Sequence, residues 1–330
     1  MRRLLPYLLI GVALLGESSA ARAEPNVWQR AREPNAVARS LARLRAEKLF
    51  HDALEASGDP ELARELSLGS AALLELSGPD SHDAWQKVLL GRALLEVQPA
   101  RALEAVQLLE AGLRRLPASD FKLESWFDLG IGAMRLGDVA RAERAFAAAL
   151  SLAWDPDDRA RCYRNRGRVR SLAGRMTAAV SDYRAAVALA RDSLGSALSH
   201  IGLGVALERS GDYPQGMQEI SRAVALRVPA PQNRTLFVLD VPGLSWVPEH
   251  DEYYFRALAA MSEAQQAHDP EHAEAAYQAA LDNWEQYLPA AEAHKERFVA
   301  NARRHERRCA SELARLRGAG SKGRASGRER

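Results

Sequence analysis

The sequence predicts an all-helical solenoid in which pairs of helices stack one after another along the chain. The composition is 47% hydrophobic and 27% charged but only 6% aromatic, which suits a helical protein with enough apolar surface to fill a core. Glycines recur every 37 residues in the middle of the chain. Strand-forming residues are concentrated in one short stretch near residue 240. Together these three observations favour stacked helical units over a sheet-based fold.

The first element is predicted to be an export signal at residues 1–23. Two arginines precede a short apolar run at residues 4–15, and an Ala-Arg-Ala sequence at residues 21–23 has the form of a cleavage site. The apolar run is too short to cross a membrane, because a spanning helix needs about 20 residues. We therefore expect cleavage, a periplasmic or cell-envelope location and no transmembrane span. Residues 24–40 are expected to form a linker.

Six columns of residues keep the 37-residue step through three successive units. The columns are Gly130, Gly167 and Gly204; Gly137, Gly174 and Gly211; Phe146, Tyr183 and Ile220; Ala149, Ala186 and Ala223; Leu152, Leu189 and Leu226; and Ala142, Ala179 and Gly216. A glycine inside a helix costs about 1 kcal/mol relative to alanine, so the first column indicates a close approach by a neighbouring helix. The second column permits a turn after that helix. Each unit is therefore predicted to be a helix, a tight turn and a helix.

These columns resemble the tetratricopeptide repeat (TPR). Within residues 123–156, seven residues occupy the signature positions of that family: Trp126, Leu129, Gly130, Gly137, Ala142, Phe146 and Ala149. Residues 160–193 and 197–230 resemble the same repeat, and Gly216 stands where the family prefers alanine, which predicts a slightly loosened helix pair. Weaker matches lie at residues 44–77, 84–117 and 254–288.

The resemblance implies a right-handed TPR α-solenoid of about five to six helix pairs. The solenoid would span residues 41–230, and a terminal TPR-like unit with a capping helix at 289–317 would complete residues 251–317. Residues 318–330 are predicted to be a disordered basic tail, because residues 301–330 carry ten Lys/Arg against three Asp/Glu. A chain that is close to neutral as a whole and carries a basic tail does not have the charge pattern of a nucleic-acid-binding domain.

Residues 231–250 interrupt the repeat and are predicted to form a short hairpin or an extended loop. The run at 235–241 is strand-like, Pro242-Gly243 is a turn signal, and a second apolar run follows at 244–247. Three large apolar side chains, Phe237, Leu239 and Trp246, either pack back on the helices or line the binding groove.

No catalytic or cofactor-binding motif is evident, so the sequence predicts a protein that is not an enzyme and needs no cofactor. His268 and His272 flank a predicted helix start, and no third metal ligand accompanies them, so no metal site is predicted. Cys162 and Cys309 lie on different units, too far apart for a disulfide, and both are expected to be small buried side chains.

In this family the first helix of each unit lines the concave surface, and the resemblance implies that the same positions form a groove here. The positions are filled by Phe127, Ile131, Met134, Arg135, Arg161, Arg164, Asn165, Arg168, Ile201 and Val205. Arg161, Arg164 and Arg168 share one helix face, and arginine is suited to bidentate contacts with carboxylates. The groove is therefore predicted to be apolar with a basic centre. Alternatively, these arginines form a solvated face paired with neighbouring glutamates.

The resemblance implies a protein-protein interaction scaffold or assembly factor of the bacterial cell envelope, with an acidic, amphipathic peptide or protein as its partner. The alternative is a structural, cell-wall-associated or membrane-associated protein held by its basic tail, through which peripheral membrane contact would occur.

Overall fold

A computed structural model describes residues 36–56, 59–76, 83–97, 99–226, 228–230, 234–236, 238–240 and 248–326. The predicted signal at residues 1–23 lies outside the described residues. The described part contains thirteen α-helices. They are α1 (Ala36–Glu55), α2 (Pro60–Leu76), α3 (Ala84–Val97), α4 (Ala102–Leu113), α5 (Asp120–Arg135), α6 (Val139–Leu152), α7 (Pro156–Leu172), α8 (Met176–Leu189), α9 (Ser193–Arg209), α10 (Tyr213–Ala225), α11 (Asp251–Gln266), α12 (Pro270–Ala293) and α13 (Val299–Ser326).

Aspartate side chains cap the N-termini of many of these helices and thereby fix where the helices start. The carboxylate of Asp138 accepts a hydrogen bond from a backbone N–H in the first turn of α6, and Asp212 does the same for α10. Asp155 and Asp269 cap α7 and α12, and each is followed directly by a proline, which suits the first helical position.

The helices form six consecutive pairs, followed by α13. Within each pair the two helices pack along each other, and the second helix of each pair contacts the first helix of the next. Most contacts between elements therefore join neighbours in sequence, as a solenoid requires. The predicted all-helical solenoid of five to six pairs with a C-terminal capping helix is confirmed.

The first glycine column lies where two helices of one unit approach most closely. In each of the three central units this glycine faces the large side chain sixteen residues later. A Cβ atom would come within 2.6 Å of the ring at Gly130–Phe146, 3.2 Å at Gly167–Tyr183 and 2.5 Å of the side chain at Gly204–Ile220. The close approach inferred from the sequence is present in all three units.

The second glycine column forms the turn between the two helices of a unit. Gly137, Gly174 and Gly211 have φ values of +72°, +76° and +99°. Residues with a Cβ rarely adopt this left-handed backbone conformation.

Replacing Gly137 with alanine is expected to lower the free energy of unfolding by about 1 kcal/mol. A Cβ atom at this position would meet nothing within 4 Å, so the cost comes from the backbone conformation alone. Urea unfolding followed by circular dichroism measures the change. Gly137→Asn is the matched control, because asparagine tolerates the left-handed region better and should lose less. Equal stability of the alanine variant and the wild type would contradict this explanation.

The segment that interrupts the repeat differs from its prediction. Strand β1 (Val228–Ala230) pairs antiparallel with β2 (Arg234–Leu236), with Val228 opposite Leu236. The described strand β2 covers only the first part of the run predicted at 235–241, and its described partner β1 precedes it. Residues 244–247 lie outside the described residues. A 3₁₀ turn, Val238–Asp240, comes next, and it buries Val238 and Leu239 in the core beside α9 and α11. Packing on the helices therefore overrides the strand preference of this run.

Of the three apolar side chains predicted for this segment, only Leu239 can be assessed. It is 3% exposed and packs in the core, as the packing alternative predicted. Phe237 and Trp246 lie outside the described residues.

The boundaries at both ends also differ from the predictions. Helix α1 begins at Ala36, inside the segment predicted to be a linker. The capping helix was predicted from residue 289, but α12 continues through Pro289 to Ala293 because Leu288 and Ala291 are buried in the core. The chain turns at Lys295, where φ is +54°, and α13 runs to Ser326, into the tail predicted to be disordered from residue 318.

Candidate binding surface

Four of the predicted groove residues are buried and cannot line an open groove. Phe127, Met134, Ile201 and Val205 are 5%, 4%, 2% and 2% exposed. Phe127 and Met134 belong to the core around α5 and α6, whereas Ile201 and Val205 pack with the core that contains Val228 and Leu239. The prediction of an apolar groove is wrong for these four positions.

The remaining predicted residues do reach the surface on α5 and α7. Arg135 is exposed, and Ile131 is half-buried beside the core. Arg161, Arg164, Asn165 and Arg168 are half-buried along one face of α7. We call the surface formed by Arg135, Arg161, Arg164, Asn165 and Arg168 the first-helix surface, because it lies on the first helices of consecutive units.

Arginine–carboxylate pairs connect the first helices of neighbouring units. Arg92 on α3 pairs with Asp128 on α5, and its guanidinium lies 5.0 Å from the ring centre of Phe50. On the other side of α5, Arg161 on α7 pairs with Glu124 on α5 and lies 4.0 Å from the ring centre of Phe127. We call these two pairs the cross-unit ladder. Arg161 thus pairs with a neighbouring glutamate, as the alternative had predicted for all three arginines of α7, and its guanidinium covers the ring of Phe127.

Further polar contacts hold the first-helix surface in place. Arg135 donates from Nη1 to the carbonyl oxygen of Leu95 on α3, at 2.8 Å. Asn165 donates from Nδ2 to the carbonyl oxygen of Arg161 one turn earlier, at 2.9 Å. Burial lowers the pKa of Arg168, and the charge of Asp251 on α11 opposes that shift.

Arg164 differs from the arginines of the ladder. Its Nη1 lies 3.4 Å from the carbonyl oxygen of Gly195 at the start of α9, a long contact. In the described part of the chain no carboxylate forms an ion pair with it. Burial lowers the pKa of Arg164 to about 10, and the negative charge of Asp192 offsets only part of this effect. The guanidinium is therefore desolvated without the compensation that Arg92 and Arg161 receive.

The other chemical groups considered in the sequence do not form a site. Cys162 and Cys309 are free and buried, as predicted, and burial raises the pKa of each thiol to about 12. Among the described residues, no group of three or more His, Cys, Asp or Glu side chains is placed to hold a metal ion. Within the same part of the chain, no helix combines the length and apolar character needed to cross a membrane.

The acidic half of the ladder, Glu124 and Asp128, was not among the predicted site residues. Glu124 and Arg161 are separated by 37 residues, the repeat step itself, which was the available signal. Arg92 and Asp128 are separated by 36 residues, so this pair does not keep the repeat step.

The helix pairs, their 37-residue register and the glycine contacts within each pair define a TPR-type α-solenoid. No family model matches the chain, and no curated protein matches it. Two solved structures that this chain resembles each share 12% sequence identity with it. One is a chain of the crystal structure of the APC/C hetero-tetramer Cut9–Hcn1, with a TM-score of 0.43 over 82% of this chain and 47% of that chain. This chain thus spans about half the length of that one. The other is the TPR2AB domain–pHSP90 complex of yeast Sti1, with a TM-score of 0.25 over 83% of this chain and 99% of that chain.

Proposed function

We propose that this chain is a scaffold of the bacterial cell envelope that binds a protein or peptide partner on its first-helix surface. The observation that carries the proposal is the row of polar side chains that α5 and α7 hold on one surface, fixed by contacts between units. A stacked array positions such side chains rigidly, because each unit is held by the next. Extended surfaces of this kind are suited to binding a chain segment.

The ion pairs near the C-terminus favour the scaffold over a tether through the basic tail. Arg315 pairs with Glu312, and Arg317 pairs with Glu274 on α12, at 2.8 Å each. These two basic side chains, which directly precede the tail predicted at 318–330, thus already have partners in the chain itself.

Site-specific photo-crosslinking tests whether the first-helix surface binds a partner. We expect a crosslinker at Asn165 to capture a partner in envelope extract, and Arg161/Arg164/Arg168→Glu to abolish that capture by reversing the charge of the surface. The matched control is Arg114/Arg144/Arg184→Glu, because these three arginines are exposed on or just after the second helices and the change in charge is the same. Equal capture by both triple variants would refute the first-helix surface as the binding site.

The envelope location rests on the sequence of residues 1–23 and has its own test. Mass spectrometry of the protein purified from cells should show a chain that begins at or near Glu24, and fractionation should recover it outside the cytoplasm. A full-length chain recovered from the cytoplasm would refute export and leave the binding proposal unaffected.

A further inference from the structure

The first helix pair carries most of the large apolar side chains that are exposed in the described part of the chain. These side chains are Leu41, Leu44, Leu54, Leu62 and Leu76 on α1 and α2, against Leu103, Leu136 and Trp154 elsewhere. The opposite end of the solenoid is closed by α13, which exposes arginines such as Arg304 and Arg307. The terminal units of a repeat array normally have a polar outer face. The C-terminal end has one, and the N-terminal end does not.

Helix α2 presents an apolar stripe on the side that faces away from the core. On its core side, Leu74 is buried and the hydroxyl of Ser70 donates to the carbonyl oxygen of Ala46 on α1, at 2.8 Å. Leu62 and Leu76, at the two ends of the stripe, are 44% and 79% exposed, and the three residues between them are half-buried. The stripe consists of Leu62, Leu66, Gly69, Leu73 and Leu76. Its spacing alternates between four and three residues, which is the seam by which two helices pair.

The stripe is close to symmetric about Gly69. Leu62 and Leu76 each lie seven positions from it, and Leu66 and Leu73 lie three and four positions from it. When a second copy of α2 is placed antiparallel with the two glycines opposite each other, Leu62 of each copy meets Leu76 of the other. Gly69 has no side chain that would hold the two helices apart at the centre. One patch thus complements itself, which is the requirement for a two-fold dimer.

The charges of α1 also fit a second copy in this orientation. The side chain of Leu49 lies beside Gly69, so the middle of α1 is level with the centre of the stripe. Arg45 lies four positions before Leu49 and Asp52 lies three positions after it. The antiparallel arrangement therefore brings Arg45 of one copy opposite Asp52 of the other. Arg45 is exposed and forms no ion pair within the described residues, and Asp52 accepts from Lys48 and keeps lone pairs for a second donor.

The outer face of the first pair is large enough for a specific contact. Helices of the lengths of α1 and α2 are about 30 Å and 25 Å long and about 10 Å wide, so that side by side they offer roughly 550 Å². Two copies together would bury roughly 1,100 Å², which is the size at which specific interfaces begin.

We propose that the outer face of the first helix pair is a dimer interface, on which α2 of a second copy packs antiparallel about Gly69. The C-terminal end does not offer a complementary surface, because α13 covers it with charged side chains. The contact therefore joins the same face of both copies and closes after two chains. Each dimer carries two first-helix surfaces, so a partner with two binding segments would be held more tightly than by one chain.

Disulfide trapping tests the register of the contact. We expect a disulfide-linked dimer when chains with Leu62→Cys are mixed with chains with Leu76→Cys and oxidised. Each variant alone should stay unlinked, because an antiparallel pair about Gly69 places the two copies of residue 62, or of residue 76, about 21 Å apart. The native cysteines, Cys162 and Cys309, are buried and should not interfere. A non-reducing gel shows the result, and a Leu62→Cys chain that links to itself would overturn the antiparallel arrangement.

Sedimentation equilibrium of the chain purified from cells tests the dimer itself. Leu62→Glu is expected to raise the dimer dissociation constant at least about 100-fold, because each dimer contains the substitution twice and each buried leucine is replaced by a charge. Leu103→Glu on α4 is the matched control, since Leu103 is 54% exposed outside the first pair and its replacement should leave the dimer unchanged. Circular dichroism should show both variants folded, because both leucines are exposed in the single chain.

A wild-type chain that sediments as a monomer at every concentration would overturn the proposal. If removal of residues 24–35 then produced a dimer, the chain's own N-terminal segment would be the occupant of this face instead. Equal dissociation constants for Leu62→Glu and the wild type would place the dimer contact elsewhere on the chain. None of these results bears on the first-helix surface, which crosslinking at Asn165 tests separately.

Discussion

Replacing Glu208 with alanine is expected to lower the free energy of unfolding by about 3–5 kcal/mol, the cost of removing one partner from a buried charged network. Glu208 lies near the end of α9 and is 3% exposed. Its carboxylate accepts a hydrogen bond from the hydroxyl of Tyr254 at 2.5 Å and from Nδ2 of Asn301 at 2.9 Å, and it lies 2.7 Å from Nε2 of His305. One carboxylate thus joins α9 to both α11 and α13.

Burial by itself would raise the pKa of Glu208, but the contacts with His305 and Tyr254 outweigh it and hold the pKa below its usual value. The carboxylate is therefore ionised at neutral pH. Removing it leaves buried donors without an acceptor, and a buried polar group that loses its partner carries the full cost of desolvation.

Urea unfolding of the Glu208→Ala variant measures the effect, and limited trypsin digestion provides a second readout because α13 is rich in arginine. We expect α13 to become cleavable at urea concentrations that leave the wild-type helix protected. Glu312→Ala is the control, since Glu312 forms a surface pair with Arg315 and should change stability by less than about 1 kcal/mol. If the two variants unfold at the same urea concentration, Glu208 does not hold the C-terminal helices in place.

This network also marks a limit of the sequence analysis. The repeat register predicted the central units because the residues that meet, such as Gly130 and Phe146, lie sixteen positions apart within one unit and recur in each. The partners of Glu208 lie 46 to 97 residues away, on helices whose match to the repeat is weak. No periodic pattern connects them, so their meeting depends on how α11–α13 pack against α9.

For the proposed binding surface, the sequence indicated which helix faces to consider but not which of their side chains are buried. Position in the repeat placed Arg161, Arg164 and Arg168 on one face of α7, and all three are half-buried in the structure. The same rule placed Ile201 and Val205 on that surface, although both are buried. Their burial comes from residues outside the three-unit register, including Leu239 and Tyr254, which pack in the same core. Such coverage cannot be read from the repeat alone.

Gly216 shows the opposite case, in which the family pattern predicted the wrong physical effect. Alanine fills this column in the two preceding units, so a glycine was expected to loosen the pair formed by α9 and α10. In the structure a Cβ atom at Gly216 would lie 2.7 Å from the carbonyl oxygen of Gly204 and 2.9 Å from the backbone nitrogen of Glu208. The two helices are thus too close at this point to admit an alanine without moving apart.

We therefore expect Gly216→Ala to lower the free energy of unfolding by about 2 kcal/mol, since the strain of overpacking exceeds the gain in helix propensity of about 1 kcal/mol. Gly318→Ala is the matched control: its Cβ atom would meet nothing within 4 Å, so the same substitution should leave stability unchanged or raise it slightly. Both variants are compared by urea unfolding. Because the clash involves backbone atoms of α9, no side-chain rotation can relieve it, and the strain would reach Glu208 on the same helix. A Gly216→Ala variant as stable as the wild type would show that α9 and α10 can separate, and that the glycine is only a tolerated departure from the repeat.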